Sequence, residues 1–178
     1  MLTFTSLGGS SIRVTGAGKI VIVFPTEGMK MPDRDFIALL PVPQESPTVH
    51  LISWPGEYNE AGISIKGVGH VEGQQVSYVL QAENLTIAFL SRPLQDWSDK
   101  QLEMVGDIDV LVIPAFDAKL VQKLVDEFDP RVLVLTVSDG AESEAVLKQI
   151  GAHGERVDEY KLKGSLPAEG RETVVLVK

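Results

Sequence analysis

Three histidines occur in the chain, and histidine is the side chain that most often binds catalytic metals or moves protons near neutral pH. His50 stands in a predicted strand and His153 follows a predicted helix, so we interpret both as structural or exposed. His70 could be a metal ligand, but we favour a loop histidine with ordinary hydrogen bonds, whose loss would cost little stability. The chain has no cysteine, which excludes thiolate nucleophiles, cysteine-based zinc sites and disulfides.

Glu57 and Tyr58 are the other two residues that we single out as catalytic candidates, beside His70. They follow Trp54, Pro55 and Gly56, and a Pro-Gly pair is typical of a turn. We favour a structural explanation for both residues. Tyr58 would pack, and the Glu57 carboxylate would accept hydrogen bonds from nearby backbone.

Aspartates occur as two spaced pairs that could act as acid and base or bind a cation. Asp107 and Asp109 precede an apolar run, so we favour a polar strand start over an acid–base pair. Asp33 and Asp35 lie in an irregular, proline-rich segment and could bind a cation. We assign neither pair a catalytic role.

Serines and glycines provide two further patterns that we reject as sites. Ser10, Ser11 and Ser138 have no histidine at a recognisable spacing, so only pairing in space with His70 would make one of them a nucleophile. The glycines of residues 67–73 have the wrong spacing for a dinucleotide loop. A predicted strand follows them rather than a helix.

Charge and length narrow the classes of function. The chain has 178 residues and a formal net charge of −9, with no cluster of Lys and Arg. An acidic protein repels phosphate backbones and anionic membrane surfaces, so we expect neither nucleic acid nor membrane as a partner. No run of about 18 apolar residues is present, and the first residues do not resemble a signal peptide. We therefore predict one soluble cytoplasmic domain over residues 1–178.

The first half of the sequence predicts strands. Residues 2–6 and 10–14 alternate apolar and polar or small side chains, and residues 19–24 are a β-branched run. Together they predict an antiparallel meander. Further strands are predicted at 36–40, 49–53, 62–67, 75–82 and 85–90. Prolines interrupt residues 27–48, which form the least regular segment.

The second half changes to a helical period. Ser98 and Gln101 match a capping box at the start of one helix. Residues 110–113 and 131–137 are apolar runs typical of strands buried on both faces, and an apolar stripe from Leu120 to Phe128 predicts a helix between them. A third helix is predicted at 141–150 and a last strand at 173–177. The pattern indicates an α+β fold in which two sheets are covered by helices.

Five short segments follow one another in a fairly specific order and spacing. They are LGGSS at 7–11, Pro25 after the third predicted strand, PGEY at 55–58, VGDIDVL at 105–111 and Asp129-Pro130. Together they resemble the metallo-β-lactamase superfamily, in its small lactonase-like branch, over nearly the whole chain. The resemblance implies a four-layer αββα sandwich of reduced size.

The resemblance also implies a hydrolytic site with zinc or manganese, in which the metal lowers the pKa of a bound water. The family's ligands include a His-x-His-x-Asp-His loop, which corresponds to residues 40–46 here. Pro41 and Pro43 stand at the first two histidine positions, and Glu45 and Ser46 stand at the Asp-His positions. Proline has no ligand atom in its side chain.

The remaining ligand positions differ as well. The family's Asp-Pro after the third strand reads Phe24-Pro25, and the last histidine falls among residues 136–138. The bridging aspartate, expected after Leu90, is replaced by Arg92 or a neighbour. Only His70 lies near a ligand position, and one imidazole does not hold a hydrolytic metal. We therefore expect no cofactor, with Phe24 and Arg92 filling the former metal cleft.

These observations predict a non-catalytic member of the family that acts as a binding or assembly module for an unknown small molecule or protein. One alternative is a divergent hydrolase with a non-standard or metal-free site, which would use His70, Glu57 and aspartates. A second alternative is a structural homo-oligomer.

Overall fold

The computed structural model describes residues 1–178 except positions 17, 34, 47, 49, 139, 140 and 164. The described residues form two β-sheets that pack face to face, with helices outside. The predicted α+β sandwich is therefore confirmed.

The smaller sheet has six strands in the order β13-β1-β2-β3-β4-β5. Their bounds are β1 Leu2–Gly8, β2 Ser11–Gly16, β3 Lys19–Val23, β4 Phe36–Leu39, β5 Leu51–Ile52 and β13 Glu159–Leu162. The first three strands form the predicted antiparallel meander, whereas β4 and β5 continue the sheet in parallel. Val49, predicted at the start of β5, lies outside the described residues.

The larger sheet has eight strands in the order β12-β14-β11-β10-β9-β8-β7-β6. Their bounds are β6 Gly56–Glu60, β7 Ile63–His70, β8 Gln75–Ala82, β9 Leu85–Phe89, β10 Val110–Pro114, β11 Val132–Thr136, β12 Glu155–Val157 and β14 Glu172–Leu176. The neighbouring strands β9, β10, β11 and β14 run parallel. This confirms the parallel pair predicted for β10 and β11.

Three helices are described: α1 Asp99–Val105, α2 Ala118–Phe128 and α3 Ala141–Gln149. The capping box at the start of α1 is confirmed, because the Ser98 hydroxyl accepts from the Gln101 amide and the Gln101 side chain accepts from the Ser98 amide. Within the described part of the chain, no helix is both long and apolar enough to cross a membrane.

Buried apolar side chains form two clusters, one on each face of the larger sheet. Between the sheets, Phe4 of β1 and Phe89 of β9 pack with ring centroids 6.5 Å apart. On the outer face, Leu102, Leu124 and Val146 from the three helices join the second cluster. All three described helices therefore cover the eight-stranded sheet, and none of them covers the outer side of the six-stranded sheet.

Three local predictions were wrong. The Pro-Gly segment predicted as a turn leads directly into β6, whose residues are mostly exposed and lack the apolar alternation that marks a strand. His50 lies in a turn with φ of 72° rather than in a strand. His70 is the last residue of β7 rather than a loop residue. Strands β12 and β13 were not predicted, since they are short and rich in charged residues.

Candidate functional site

Strand directions bring many loops to one edge of the sandwich. Parallel strands end at the same edge of a sheet, so β9, β10, β11 and β14 end together, as do β1, β3 and β4 in the other sheet. The Val76 amide donates to the Pro41 carbonyl at 2.9 Å and joins the two sets. We call this the loop edge. It comprises residues 7–11, 24–25, 40–46, 53–55, 70–75, 91–93, 115–117, 137–138 and 177–178.

Arg92 and Ser138 meet at the loop edge, after β9 and β11 respectively. Arg92 Nη1 donates to Ser138 Oγ at 2.7 Å. The guanidinium carbon also lies 4.8 Å from the centroid of the Phe116 ring, a cation–π distance. A hydroxyl and an aromatic face thus hold the guanidinium in the segment after β9, where the resemblance implies a bridging carboxylate.

Aromatic side chains fill the space between the sheets below the loop edge. Phe24 is 7% exposed, and its ring centroid lies 6.1 Å from that of Tyr78. The Tyr78 hydroxyl donates to the Leu40 carbonyl at 2.6 Å and lies 3.0 Å from the Ile52 carbonyl. Burial raises the pKa of Tyr78 well above its usual range, so the hydroxyl remains a donor. Phe24 therefore occupies buried space between the sheets.

His70 belongs to a buried polar network on the outer face of the larger sheet. Its Nε2 atom lies 3.1 Å from Ser77 Oγ, and its Nδ1 atom lies 3.4 Å from Gln101 Nε2. Ser77 Oγ lies 3.2 Å from Ser91 Oγ. The Trp97 ring packs edge-on against the imidazole, with centroids 5.0 Å apart. His70 is thus enclosed by α1 and the segment before it.

Burial governs the chemistry of this imidazole. His70 is 5% exposed, and desolvation lowers its pKa from 6.5 to about 4, so the ring is neutral at pH 7. The serine that pairs with it is Ser77, which is 2% exposed and also accepts from the Ser91 amide. The pair has the atoms of a nucleophile and its base, but both residues are covered by protein.

Glu57 and Tyr58 lie on β6, at the edge of the larger sheet. Glu57 Oε1 lies 3.4 Å from Lys66 Nζ, and the Tyr58 hydroxyl donates to the Trp54 carbonyl at 2.8 Å. Burial raises the pKa of Tyr58. Both residues line an open depression of about 420 Å³, and His70 is not among its lining residues. The structure therefore does not bring the three catalytic candidates together in one cavity.

The aspartate candidates precede β10 and β4, so they lie at the opposite ends of these strands from the loop edge. Asp109 Oδ2 accepts from the Thr86 amide at 2.8 Å, which matches a polar strand start, whereas Asp107 is exposed. Asp33 and Asp35 are exposed in the irregular segment. Ser11 Oγ lies 3.8 Å from the Met29 sulfur.

No sequence pattern predicted the close packing of two segments beside the loop edge. A Cβ atom at Gly67 would lie 2.8 Å from the Trp54 carbonyl oxygen, and one at Gly69 would lie 2.9 Å from Pro55 Cγ. The two glycines therefore let residues 54–55 cross closely over β7. The crossing leaves Trp54 about half exposed, with its indole N–H donating to the Gln44 carbonyl at 3.0 Å.

Solved structures of known proteins share the two-sheet fold of this chain over nearly its full length. A protein from Thermotoga maritima, described as a Zn-dependent hydrolase of the metallo-beta-lactamase superfamily, superimposes with a TM-score of 0.81 at 21% identity, over 99% of this chain and 98% of that one. The chain has the metallo-β-lactamase fold. A metal-dependent hydrolase from Parabacteroides distasonis gives a TM-score of 0.64 at 13% identity over 98% and 92% of the two chains.

A diphosphatase from the PhnP family has the same fold, with a TM-score of 0.59 at 14% identity over 99% of this chain and 94% of that one. No protein-family model matches the sequence, and no curated protein does. At these identities the comparison establishes the metallo-β-lactamase fold and not the activity.

Within the described residues, this chain lacks the clustered donor atoms that a metal site needs. These residues contain no group of three or more His, Cys, Asp or Glu that could hold a metal ion. Pro41, Arg92 and Ser138 stand at the loop edge where the resemblance implies ligands, and His70 is buried on the outer face. A guanidinium repels a cation, so this set does not fit zinc or manganese.

Proposed function

We propose that this protein is a non-catalytic binding module that uses the loop edge of a metallo-β-lactamase fold. The observation that carries the proposal is the hydrogen bond from Arg92 to Ser138, in two segments where the resemblance implies metal ligands. A cation with an organised partner is suited to binding an anionic or polar group, and it disfavours a metal cation at the same place.

The contacts of the weak catalytic candidates agree with this proposal. Glu57 pairs with Lys66 and Tyr58 with the Trp54 backbone, while His70 is bonded within a buried network. Each side chain has a structural partner that accounts for its position. Fold and activity are separable, so the sandwich is retained whether or not the site performs chemistry.

Metal content tests the proposal directly. We expect protein purified without chelator to contain far less than one zinc or manganese per chain by elemental mass spectrometry. A small-molecule panel read by thermal shift should contain compounds that raise Tm and are recovered unchanged. About one metal ion per chain, or turnover of the stabilising compound, would contradict a non-catalytic role.

The divergent hydrolase remains the alternative for which His70 is the decisive residue. A screen of lactones, phosphodiesters and thioesters should show no turnover above that of heat-denatured protein. Turnover that His70→Ala abolishes in a folded variant would favour the enzyme. Turnover that survives His70→Ala would point to another site on the same fold.

Assembly through the loop edge is a second candidate, supported by exposed apolar side chains. Val42, Trp54 and Val71 are 55%, 52% and 58% exposed. Their segments touch, because Trp54 donates to the Gln44 carbonyl and Pro55 approaches Gly69 and Gly73. Light scattering after size exclusion tests this candidate. A dimer that Trp54→Ser dissociates would support assembly, and a monomer at high concentration would exclude it.

A further inference from the structure

We propose that the loop edge binds a small oxyanion, a carboxylate or phosphate group, between Arg92, Ser138 and the Gly8–Gly9 turn. This inference rests on the proposed function and names the chemical class of its ligand. Four independent features of the described residues support it: a guanidinium without a carboxylate partner, free amide groups, a second cation and a buried hydroxyl without a partner.

The Arg92 guanidinium has N–H donors that its bond to Ser138 does not use. It carries five N–H bonds, and one nitrogen donates to Ser138 Oγ. Within the described part of the chain, no carboxylate forms an ion pair with Arg92, whereas Arg156 and Arg171 each pair with an acidic side chain. Because Ser138 Oγ accepts from Arg92, its own hydroxyl hydrogen is available to a third group.

The Gly8–Gly9 turn supplies backbone donors beside this pair. Gly8 and Gly9 have φ of 107° and 59°, conformations that favour glycine. A Cβ at Gly9 would lie 3.7 Å from Ser138 Oγ, so the turn lies against the hydroxyl. Among the described residues, neither the Gly9 nor the Ser10 amide has an acceptor. Successive amides of this kind in a turn are a frequent anion contact.

A second cation adjoins the same turn. Lys178 Nζ donates to the Leu7 carbonyl at 3.1 Å, and its Cδ atom would lie 3.4 Å from a Cβ at Gly8. The chain has a net charge of −9, but Arg92 and Lys178 place two positive charges beside the same glycine turn. The local charge therefore favours an anion where the whole protein repels one.

Thr136 adds an unused hydroxyl at the end of β11. The residue is 3% exposed, and its Oγ1 atom has no hydrogen-bond partner among the described residues. Val132 and Val134 belong to the cluster between the sheets, so strand alternation directs Thr136 to the same side. A buried hydroxyl without a partner is costly, and an oxyanion or its water at the loop edge would satisfy it.

Oxyanions suit this set of donors. A planar guanidinium matches carboxylate and phosphate oxygens in two parallel hydrogen bonds, and hydroxyl and amide donors complete the remaining oxygens. A tetrahedral phosphate offers more acceptor atoms than a planar carboxylate. Inorganic phosphate and acetate therefore serve as separate probes of the two chemistries.

Titration of the full chain with each probe at constant ionic strength tests the inference. Phosphate or acetate should raise Tm in a saturable way beyond equal chloride, and the responding anion identifies the ligand. We expect Arg92→Gln to weaken binding about tenfold or more, as for loss of a charge-assisted pair. Thr136→Val, which keeps the shape, should weaken binding less, and Arg156→Gln should leave it unchanged.

Amide NMR of the unaltered protein keeps the test independent of variant folding. Phosphate or acetate should shift the Gly8, Gly9 and Ser10 amide signals with the same midpoint. The inference is overturned if neither anion moves these signals, or if Arg92→Gln weakens binding no more than Arg156→Gln. Metal is measured on the same sample. If the protein contains no metal and binds neither anion, this inference is overturned and the proposed function is not. If anion binding requires about one metal ion per chain, the proposed function is overturned.

Discussion

Pro55 packs against Gly69 so closely that a methyl group at position 69 would lie 2.9 Å from Pro55 Cγ. The neighbouring contact at Gly67 is with backbone, since its Cβ would lie 2.8 Å from the Trp54 carbonyl oxygen. We predict that Gly69→Ala and Gly67→Ala each lower the free energy of unfolding by about 1–3 kcal/mol, the usual cost of overpacking. Urea denaturation of each variant measures this change.

A double-mutant cycle distinguishes the two contacts. Pro55→Ala removes the Cγ atom that Gly69→Ala would strike, so the double variant should lose less stability than the sum of the two single changes. Pro55→Ala should not relieve Gly67→Ala, because the carbonyl oxygen stays in place. Equal coupling energies in both cycles would show that the crossing relaxes as a whole.

His70 should make stability depend on pH. Its pKa is about 4 in the folded protein because burial disfavours the charged ring, against 6.5 ordinarily. Between these values the unfolded chain binds one more proton than the folded chain. Stability is therefore fully present above about pH 6.5 and is lost as pH falls toward 4, by at most about 1.4 kcal/mol per pH unit. Urea midpoints measured at several pH values check the slope.

Matched histidine variants isolate this slope. His70→Gln should flatten the dependence between pH 6.5 and 4, whereas His153→Gln, at an exposed position, should retain it. The structure also changes our expectation for His70→Ala. Because Ser77 and Gln101 would lose a buried partner, we now expect a cost of about 1–3 kcal/mol at pH 7. An unchanged slope in His70→Gln would assign the titration to other groups.

Gln101 should contribute more to stability than the helix cap alone. Its side chain accepts from the Ser98 amide at 2.9 Å and donates to the Gly69 carbonyl at 2.9 Å, so it joins α1 to β7. We predict that Ser98→Ala costs about 1 kcal/mol, as for loss of a cap, and that Gln101→Ala costs more. Thermal denaturation of both variants, with Lys100→Ala as the exposed control, measures the difference.

Charges placed in the core should prevent folding. Val112 and Leu133 are 4% and 6% exposed on neighbouring strands, and a carboxylate at either position would have no partner. We predict that Val112→Asp and Leu133→Asp each unfold the protein, as seen by loss of the cooperative thermal transition. Thr15→Asp, at an exposed strand position, should retain the transition. A folded Val112→Asp variant would contradict the assigned core.

Elements with a strong apolar period were predictable from the chain, and elements held by backbone pairing were not. Strand β10 and helix α2 bury their apolar side chains where the period places them. Strand β6 carries mostly exposed side chains and is a strand because its backbone pairs with β7. Side-chain patterns report burial, so an exposed edge strand leaves little trace in a sequence.

The candidate site was also predictable only in part. The resemblance implied ligands in the segments that contain Pro41, Arg92 and Ser138, and the strand directions bring these segments to one edge. The bond between Arg92 and Ser138 spans 46 positions, and that between His70 and Gln101 spans 31. Neither pair has a spacing that a motif could carry, so neither was predictable.

The sequence by itself determined the two-sheet architecture and the replacement of metal ligands by proline, arginine and serine, because both follow from residue types along the chain. Only the tertiary structure decided the surroundings of those residues. It buried His70 among serines beneath Trp97, and it joined Arg92 to Ser138 beside the Gly8–Gly9 turn. The physical reason is that protonation and binding depend on neighbours in space, and chain packing sets those neighbours.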